Sequence, residues 1–548
     1  MNYRNGCLRG VLAFLIWNMV GWCALPPDSV TQVFTSMSVE GDAELVTGLA
    51  DWAEWSQAVV GHPVSSSDLE EFRLRVLGGL QEAGYLFAQV ELRESEAADV
   101  LVVKVSGGQL GEFAIRRHGR HYSPRQIIAK LSGRGSTFNY AEFCRRLAAA
   151  NSGDLKIDVT LKPTYRNSQL AVDVEVDYED SLPLHGSLEL CNAAAPEAKS
   201  SLQLRGGVQM LNLARCDDVL SLHYVTNGDV GGEVNAIYGA YQLPLGERCA
   251  LTLFGSWSDS AYDEVFRDLD ILGRGYSCGF QWEQELYQDR RRRLAMLFGW
   301  RFASTRNRLR LLSELLEQGK AQVSMPFLGI AYSDLLPDIW NGRNFASLRL
   351  SGNRAGMLGA SETDAFRAEG RGADGTFWQT RLTAARLQRL FSGEESPGKW
   401  TLFLQWNALY SSEAVPNACR DYLGGFETVR GYQEAETSGD TLLHGSLELR
   451  TPLIGREPAE AGVANAGGRC HLQGILFTDF GLVANHDDNL PENGRPRHCQ
   501  LISAGAGLRL GWGDSLQVAL DYALPLRRHA TPDTPSHGRW HFAVRLSF

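Results

Sequence analysis

At 548 residues the chain exceeds one ordinary domain, and a 44% hydrophobic content excludes a disordered one. A formal net charge of −11 argues against nucleic acid as a partner, because phosphate binding needs a concentrated basic face and none is visible. The 57 glycines point to many turns and to small residues within strands.

Arg4 and Arg9 precede the apolar run GVLAFLIWNMVGWCAL, which stops at Pro26-Pro27. A basic start, a short apolar run and a break predict a secretory signal peptide over residues 1–24. Asn18 interrupts the run and leaves too little for a membrane-spanning helix. Trp22 sits badly in a small-x-small pattern, so the cleavage position stays open. Cys7 and Cys23 fall in this leader, while Cys144, Cys191, Cys216, Cys249, Cys278, Cys419, Cys470 and Cys499 are scattered without any CxxC. That spacing argues against zinc and leaves disulfide pairing open in an exported chain.

SMSVEG alternates as a strand does, and the segment after it places Leu45, Leu49 and Trp52 on one helical face. A second helix is predicted to start at Ser67, with Glu70 completing a capping box. It carries Leu69, Phe72, Val76 and Leu80 inward and stops at Gly84. YLFAQVELRE and DVLVVKVSGG then read as two strands around a polar turn, giving β-α-α-β-β over residues 32–107. The same order recurs over 108–178: GEFAIRRHGR, SPRQIIAKLSG, a helix capped by Asn139 with Glu142, then DLKIDVTLKP and NSQLAVDVEVDYED. This order, with EAGYLFAQV after the second helix, resembles the POTRA domain, a periplasmic module that binds polypeptides on outer-membrane transporters.

Beyond about Leu182 alternation takes over. In LHGSLEL, Leu184, Leu188 and Leu190 oppose His185, Ser187 and Glu189. Near the end, Leu516, Val518, Leu520 and Tyr522 oppose Gln517, Ala519 and Asp521. The final GRWHFAVRLSF sets Trp540, Phe542, Val544, Leu546 and Phe548 against Arg539, His541, Arg545 and Ser547. Such strands suit a soluble sandwich or a membrane barrel, and length decides: about 5–6 residues in the first, about 9–11 in the second. The segments here are commonly of the longer kind. A transmembrane antiparallel β-barrel is therefore expected over 179–548, with room for about sixteen strands and a polar lumen.

The stretch GGFETVRGYQEAETSGD isolates Arg430 in a run too rich in Gly, Thr and Glu for a strand or a stable helix. Downstream, GILFTDFGLV puts Phe477, Asp479 and Gly481 on one parity and Leu476, Thr478, Phe480 and Leu482 on the other. With the leucines toward lipid, Asp479 faces the lumen, because the opposite choice places a carboxylate against hydrocarbon. Arg430 is the candidate cation for it. GEESPGKW, Gly393 to Trp400, fits the spacing of a phosphate loop, but Trp400 replaces the Ser or Thr that would hold magnesium and no helix follows, so it reads as a turn. With no HExxH, no GxSxG and no ligand spacing among the histidines, no catalytic site, metal or cofactor is expected.

VRGY followed by an FxDxG strand resembles the outer-membrane superfamily that joins POTRA domains to a barrel. With two POTRA copies, NLARCDDVLSLHY and YLGGFETVRGY, the chain is most similar to the hemolysin-activator branch, the two-partner secretion transporters. The resemblance implies that the loop of Val429, Arg430, Gly431 and Tyr432 folds back into the lumen, where its arginine meets the aspartate of the Phe477, Asp479, Gly481 motif. It implies an outer-membrane location with the POTRA domains in the periplasm. The expected partners are an unfolded secreted polypeptide, the lipid bilayer and, during biogenesis, the barrel assembly machinery, which would read the terminal Trp540, Phe542, Val544, Leu546 and Phe548. The alternative within the superfamily is a factor that inserts other barrels. Two departures stand out: only Leu25 to about Thr31 precede the first POTRA strand, so a plugging helix is not expected, and KPTYRNSQL replaces the usual Pro-Gly turn.

Overall fold

The computed structural model describes residues 31–548 except 96–98, 134–136, 152, 167–168, 195–201, 228–233, 247, 267–268, 290, 312–313, 369–372, 391–399, 456–469, 487–496 and 528–536. The signal-peptide reading, most of the short segment after it, and the turn that follows Gly393 lie outside the described residues. The chain divides into two compact units, one ending at Pro183 and the other beginning at Leu184.

The N-terminal unit holds two three-stranded sheets, each backed by helices. In the first, Ser36–Gly41 runs parallel to Val100–Ser106, which pairs antiparallel with Gln89–Glu94. The helix Ser66–Glu82 buries Leu69, Phe72, Val76 and Leu80 against Val103 and Val105. Its cap lies two residues before the expected Ser67. Ser65 accepts from the Asp68 N–H while the Asp68 carboxylate receives the Ser65 N–H at 2.8 Å. Glu70 instead forms a fork with Arg73. In the run Ser65-Ser66-Ser67 both Ser65 and Ser67 have an acidic residue three positions on, Asp68 and Glu70, and the box closes at the first of them because Glu70 is engaged by Arg73.

In the second sheet Gln109–Arg117 runs parallel to Gln169–Asp180, which pairs antiparallel with Leu155–Arg166 and leaves that strand at the edge. Asn139 caps the helix Tyr140–Ala150 through the Glu142 N–H, and the Glu142 side chain turns to Arg145 and Arg146. Asp180 collects the N–H groups of Arg120, His121 and Tyr122 at 2.7–2.9 Å, which fixes the chain just ahead of the helix Pro124–Leu131. Burial pushes its carboxyl up, but these three donors outweigh that and hold it below its ordinary value. Phe87 from the first sheet's side enters the second core against Phe138, and the Tyr140 N–H donates to the Gly84 carbonyl at 2.8 Å.

The second unit is a closed antiparallel barrel of sixteen strands, from Leu184–Cys191 to Arg539–Ser547. Alternation sets its two faces. Leu184, Leu188, Leu190, Trp540 and Leu546 are exposed, whereas Glu189, Asp521 and His541 are buried. The join between first and last strands is short, with five pairs from Ala543↔Cys191 to Ser547↔Ser187. Beyond it Asn192 substitutes for a strand: its Nδ2 donates to the Trp540 carbonyl at 2.8 Å and its Oδ1 accepts the Phe542 N–H at 2.9 Å. At the other end Phe548 and Gly186 exchange backbone hydrogen bonds of 2.7 and 3.0 Å.

The expectation of a uniformly polar lumen is corrected by the seventh and eighth strands, Arg292–Leu311 and Glu314–Asp334. Their inward Ala303, Ala321, Val323 and Met325 are buried against Phe366 of the short helix Thr363–Ala368, together with Ala373, Val415 and Cys419. These last four belong to the connections that follow the ninth strand, Gly342–Asn353, and the eleventh, Thr401–Ser411. Polar inward residues suit a water-filled lumen, but this end of the wall, from Ala321 to Met325 on strand eight, has protein against it and is apolar for that reason.

Candidate functional site: the loop inside the barrel

The eleventh strand, Thr401–Ser411, and the twelfth, Thr441–Arg450, are joined by a segment that pairs Asp421–Leu423 with Thr437–Gly439. Between those short strands the chain reverses through Gly424 and Gly431, at φ of +107° and +92°. A Cβ on Gly424 would lie 2.3 Å from the Gln433 carbonyl oxygen, so only glycine fits there. Side chains of the loop close its own turns. The Gly424 N–H donates to Thr428 Oγ1 at 2.9 Å, the Phe426 N–H to Glu434 at 2.6 Å, and the Gln433 N–H to Glu436 at 3.0 Å. The Thr and Glu content that excludes a regular element is what builds this one.

Arg430 leaves the loop toward strands twelve to fifteen with its side chain only 7% exposed. Nε and Nη2 form a fork on Asp479, at 2.8 and 2.9 Å, and the backbone N–H of Arg430 reaches the same carboxylate at 3.1 Å. Nη1 donates to Asp521 at 3.1 Å, and Nη2 also reaches Ser446 Oγ at 3.1 Å and Glu448 at 3.0 Å. The guanidinium carbon lies 3.5 Å from the centroid of the Phe477 ring, so the cation is capped on one face by an aromatic surface. Asp479 and Asp521 are fully buried, and Arg509 forks onto Asp521 as Arg450 does onto Glu448. Three arginines thus face three carboxylates. Such a cluster fixes one loop position through fork geometry, and removing one member leaves a buried charge without its partner.

The residues beside Arg430 seat the loop by shape. Val429 and Tyr432 are fully buried with Leu423, Leu442, Val483 and Leu501. A Cβ on Gly481 would fall 2.6 Å from Leu423 and 3.0 Å from Val429, so the glycine of the strand motif makes room for them. The Tyr432 hydroxyl bridges the Ile502 and Arg527 carbonyls, at 3.0 and 2.9 Å. The Gly431 N–H donates to His541 Nε2 at 2.9 Å, which ties the loop to the last strand. Upstream, Phe426 packs on Cys191, Ala193 and Ala543, spanning the short first-to-last join from inside. Glu427 takes Arg205, which also faces Glu189, and Glu189 pairs with Arg545 of the last strand at 2.7 Å.

The expected loop and strand motifs therefore come together: Val429, Arg430, Gly431 and Tyr432 lie against Phe477, Asp479 and Gly481. Of the terminal residues, Trp540, Leu546 and Phe548 are exposed on the outer face. Arg430 is expected to have one partner and has several. Asp521 carries a usable signal in its inward parity; Ser446 and Glu448 share the inward alternation of TLLHGSLELR; His541 and Phe426 carry none beyond their neighbours.

The family model described as Haemolysin secretion/activation protein ShlB/FhaC/HecB matches residues 171–510. Among solved structures the chain is similar to CdiB from Escherichia coli, with a TM-score of 0.73, 17% identity and coverage of 96% of this chain and 92% of that one. CdiB from Acinetobacter baumannii follows at 0.65, 15%, 96% and 91%. BamA from Haemophilus ducreyi, lacking POTRA domains 1-3, is more distant at 0.51, 13%, 95% and 100%. At these identities the structures speak to fold alone. No curated protein sequence matches the chain. The chain belongs to the haemolysin secretion/activation ShlB/FhaC/HecB family, the outer-membrane transporters of two-partner secretion.

Proposed function

We propose that an unfolded secreted polypeptide is gathered in the periplasm by two POTRA domains, residues 32–107 and 108–178, and is passed through the barrel of residues 179–548. The loop of Val429, Arg430, Gly431 and Tyr432 sets whether the lumen admits it. The observation that carries this reading is the neutral cluster around Arg430, which holds a long loop in the space a translocating chain needs. Docking falls to the edge strand Leu155–Arg166, which has no strand on its outer side among the described residues and can accept an extended segment beyond Ile157, whose backbone N–H and carbonyl are taken by the Asn151 side chain. The exposed aromatic end at Trp540, Leu546 and Phe548, together with Phe542 and Val544, is what the assembly machinery reads during insertion. No step calls for a catalytic group.

Deleting residues 32–178 tests the recruitment step. The expected result is a folded, membrane-inserted barrel that exports nothing, and normal export by that variant overturns docking on these domains. The other reading, insertion of foreign barrels, predicts loss of many unrelated outer-membrane proteins on depletion. Secretion predicts loss of one exported partner from the medium.

A further inference from the structure

Strands seven to ten, Arg292–Leu311, Glu314–Asp334, Gly342–Asn353 and Phe377–Arg389, carry an unbalanced charge on their inward face. Register places Arg301, Arg343, Arg349, Arg381 and Arg389 on the same side as the buried Leu297, Phe327 and Gln379. Among the residues of these four strands whose side chains are described, no carboxylate shares that face. Arg293, also inward, is neutralised by Glu283 at 2.5 Å, and Arg381 by Asp421 of the loop. Arg301 has no hydrogen-bond or ion-pair partner among the described residues. Arg349 is held by neutral groups only, with Nη2 donating to Gln281 at 2.7 Å and its guanidinium carbon 4.2 Å from the Phe327 ring centroid. Its cross-strand partner in register on strand ten is Arg381, of its own sign. This wall is basic within a chain whose net charge is −11, so it departs from the average composition.

We infer that the inward wall of strands seven to ten is a binding track for carboxylate-bearing segments of the transported polypeptide, centred on Arg301 and Arg349. The inference rests on the export reading above. The Arg349 guanidinium, pinned by an amide and a ring, keeps donors free for a carboxylate, and Arg301 adds a second fork two strands away, with strand eight between them, so that the pair suits separate acidic side chains of one extended chain. A cleft with low-dielectric walls and charges of one sign concentrates ligands of the other. The wall around Arg430, on strands twelve to fifteen, is neutral and offers no such attraction.

The test is binding of dye-labelled poly-glutamate and poly-lysine to the full-length purified protein, followed by fluorescence anisotropy at low and high salt. Poly-glutamate is expected to bind more tightly than poly-lysine by on the order of tenfold at low salt, and the difference should shrink as salt screens it. Arg301→Gln with Arg349→Gln should remove the preference, and the Lys pair should retain most of it, at unchanged heat-modifiability of the barrel. Equal binding of the two polymers, or an undiminished preference in the Gln variant, overturns the inference. Displacement of poly-glutamate by inorganic phosphate at equal charge concentration also overturns it, by marking a small-anion site. If poly-glutamate binding is lost in the Gln variant while export of the natural partner is normal, the track lies off the cargo route and the inference fails, with the export reading intact. Loss of export with poly-glutamate binding unchanged likewise overturns the track and leaves that reading standing.

Discussion

Two walls of one barrel hold their inserted segments in opposite ways. On strands twelve to fifteen Arg430 meets Asp479, Asp521, Glu448 and Ser446, and charge is balanced residue by residue. On strands seven and eight Phe366 meets Ala321, Val323 and Met325 by area and fit, and the segment's polar tie to that wall is a neutral one, Ser361 exchanging hydrogen bonds of 2.9 and 3.0 Å with the Gln322 backbone. The difference concerns what release requires. A forked, buried arginine can leave only if its carboxylates find other cations or water, so its position is close to all-or-none. An apolar contact loses strength in proportion to the area uncovered and tolerates small slides. The lumen therefore combines one specific lock with one adaptable seal.

The comparison can be broken most severely at the lock. Arg430→Ala leaves Asp479 with two neutral donors, the Ser446 hydroxyl and the backbone N–H of residue 430, while Asp521 and Glu448 keep Arg509 and Arg450. It should destabilise the docked loop by about 3–5 kcal/mol, measured as protease cleavage within 424–436 on intact cells. Phe366→Ala tests the seal. It should cost about 3 kcal/mol at that wall, at the low end for a buried aromatic, and raise ion conductance while leaving loop 424–436 protected. His541→Ala removes the acceptor of the Gly431 N–H and should cost about 1–2 kcal/mol, read as a lower heat-modification midpoint of the barrel. Outside both walls, Asp180 supplies a control through pH. Its carboxyl is held below the ordinary value, so its contribution is present above about pH 4 and is lost as pH falls through the lower native value. Asp180→Asn should flatten the acid limb of the N-terminal unit's unfolding curve and leave the barrel's unchanged.

Much of this arrangement is legible in alternation. The inward side of Asp479 and Asp521, the outward side of the leucines and the number of strands follow from period two and from the length that a membrane imposes. Other features depend on register between distant segments. Arg430 gathers Glu448, Asp479 and Asp521 from strands twelve, thirteen and fifteen, whose relative heights are set only once the barrel is in register, and no local pattern states them. Phe366 sits in a six-residue helix that packs against a wall of residues from other strands and another connection, far from it in sequence. The inward apolar residues of that wall look, in sequence, like any alternating strand. The shift of the helix cap from Ser67 to Ser65 is local: the run offers two boxes, Ser65 with Asp68 and Ser67 with Glu70, and Glu70 pairs with Arg73 instead.

The account's central claim is that the Arg430 cluster holds the loop for export, and a double-mutant cycle on export tests it most directly. Secreted partner is measured for Arg430→Ala, Asp479→Ala and the double variant, each at matched barrel levels. Each single change should reduce export, and the double variant should be less impaired than the sum of the two in free energy, because each single change leaves an unpaired buried charge that the double change removes. Strict additivity, or normal export by both single variants, would contradict the claim.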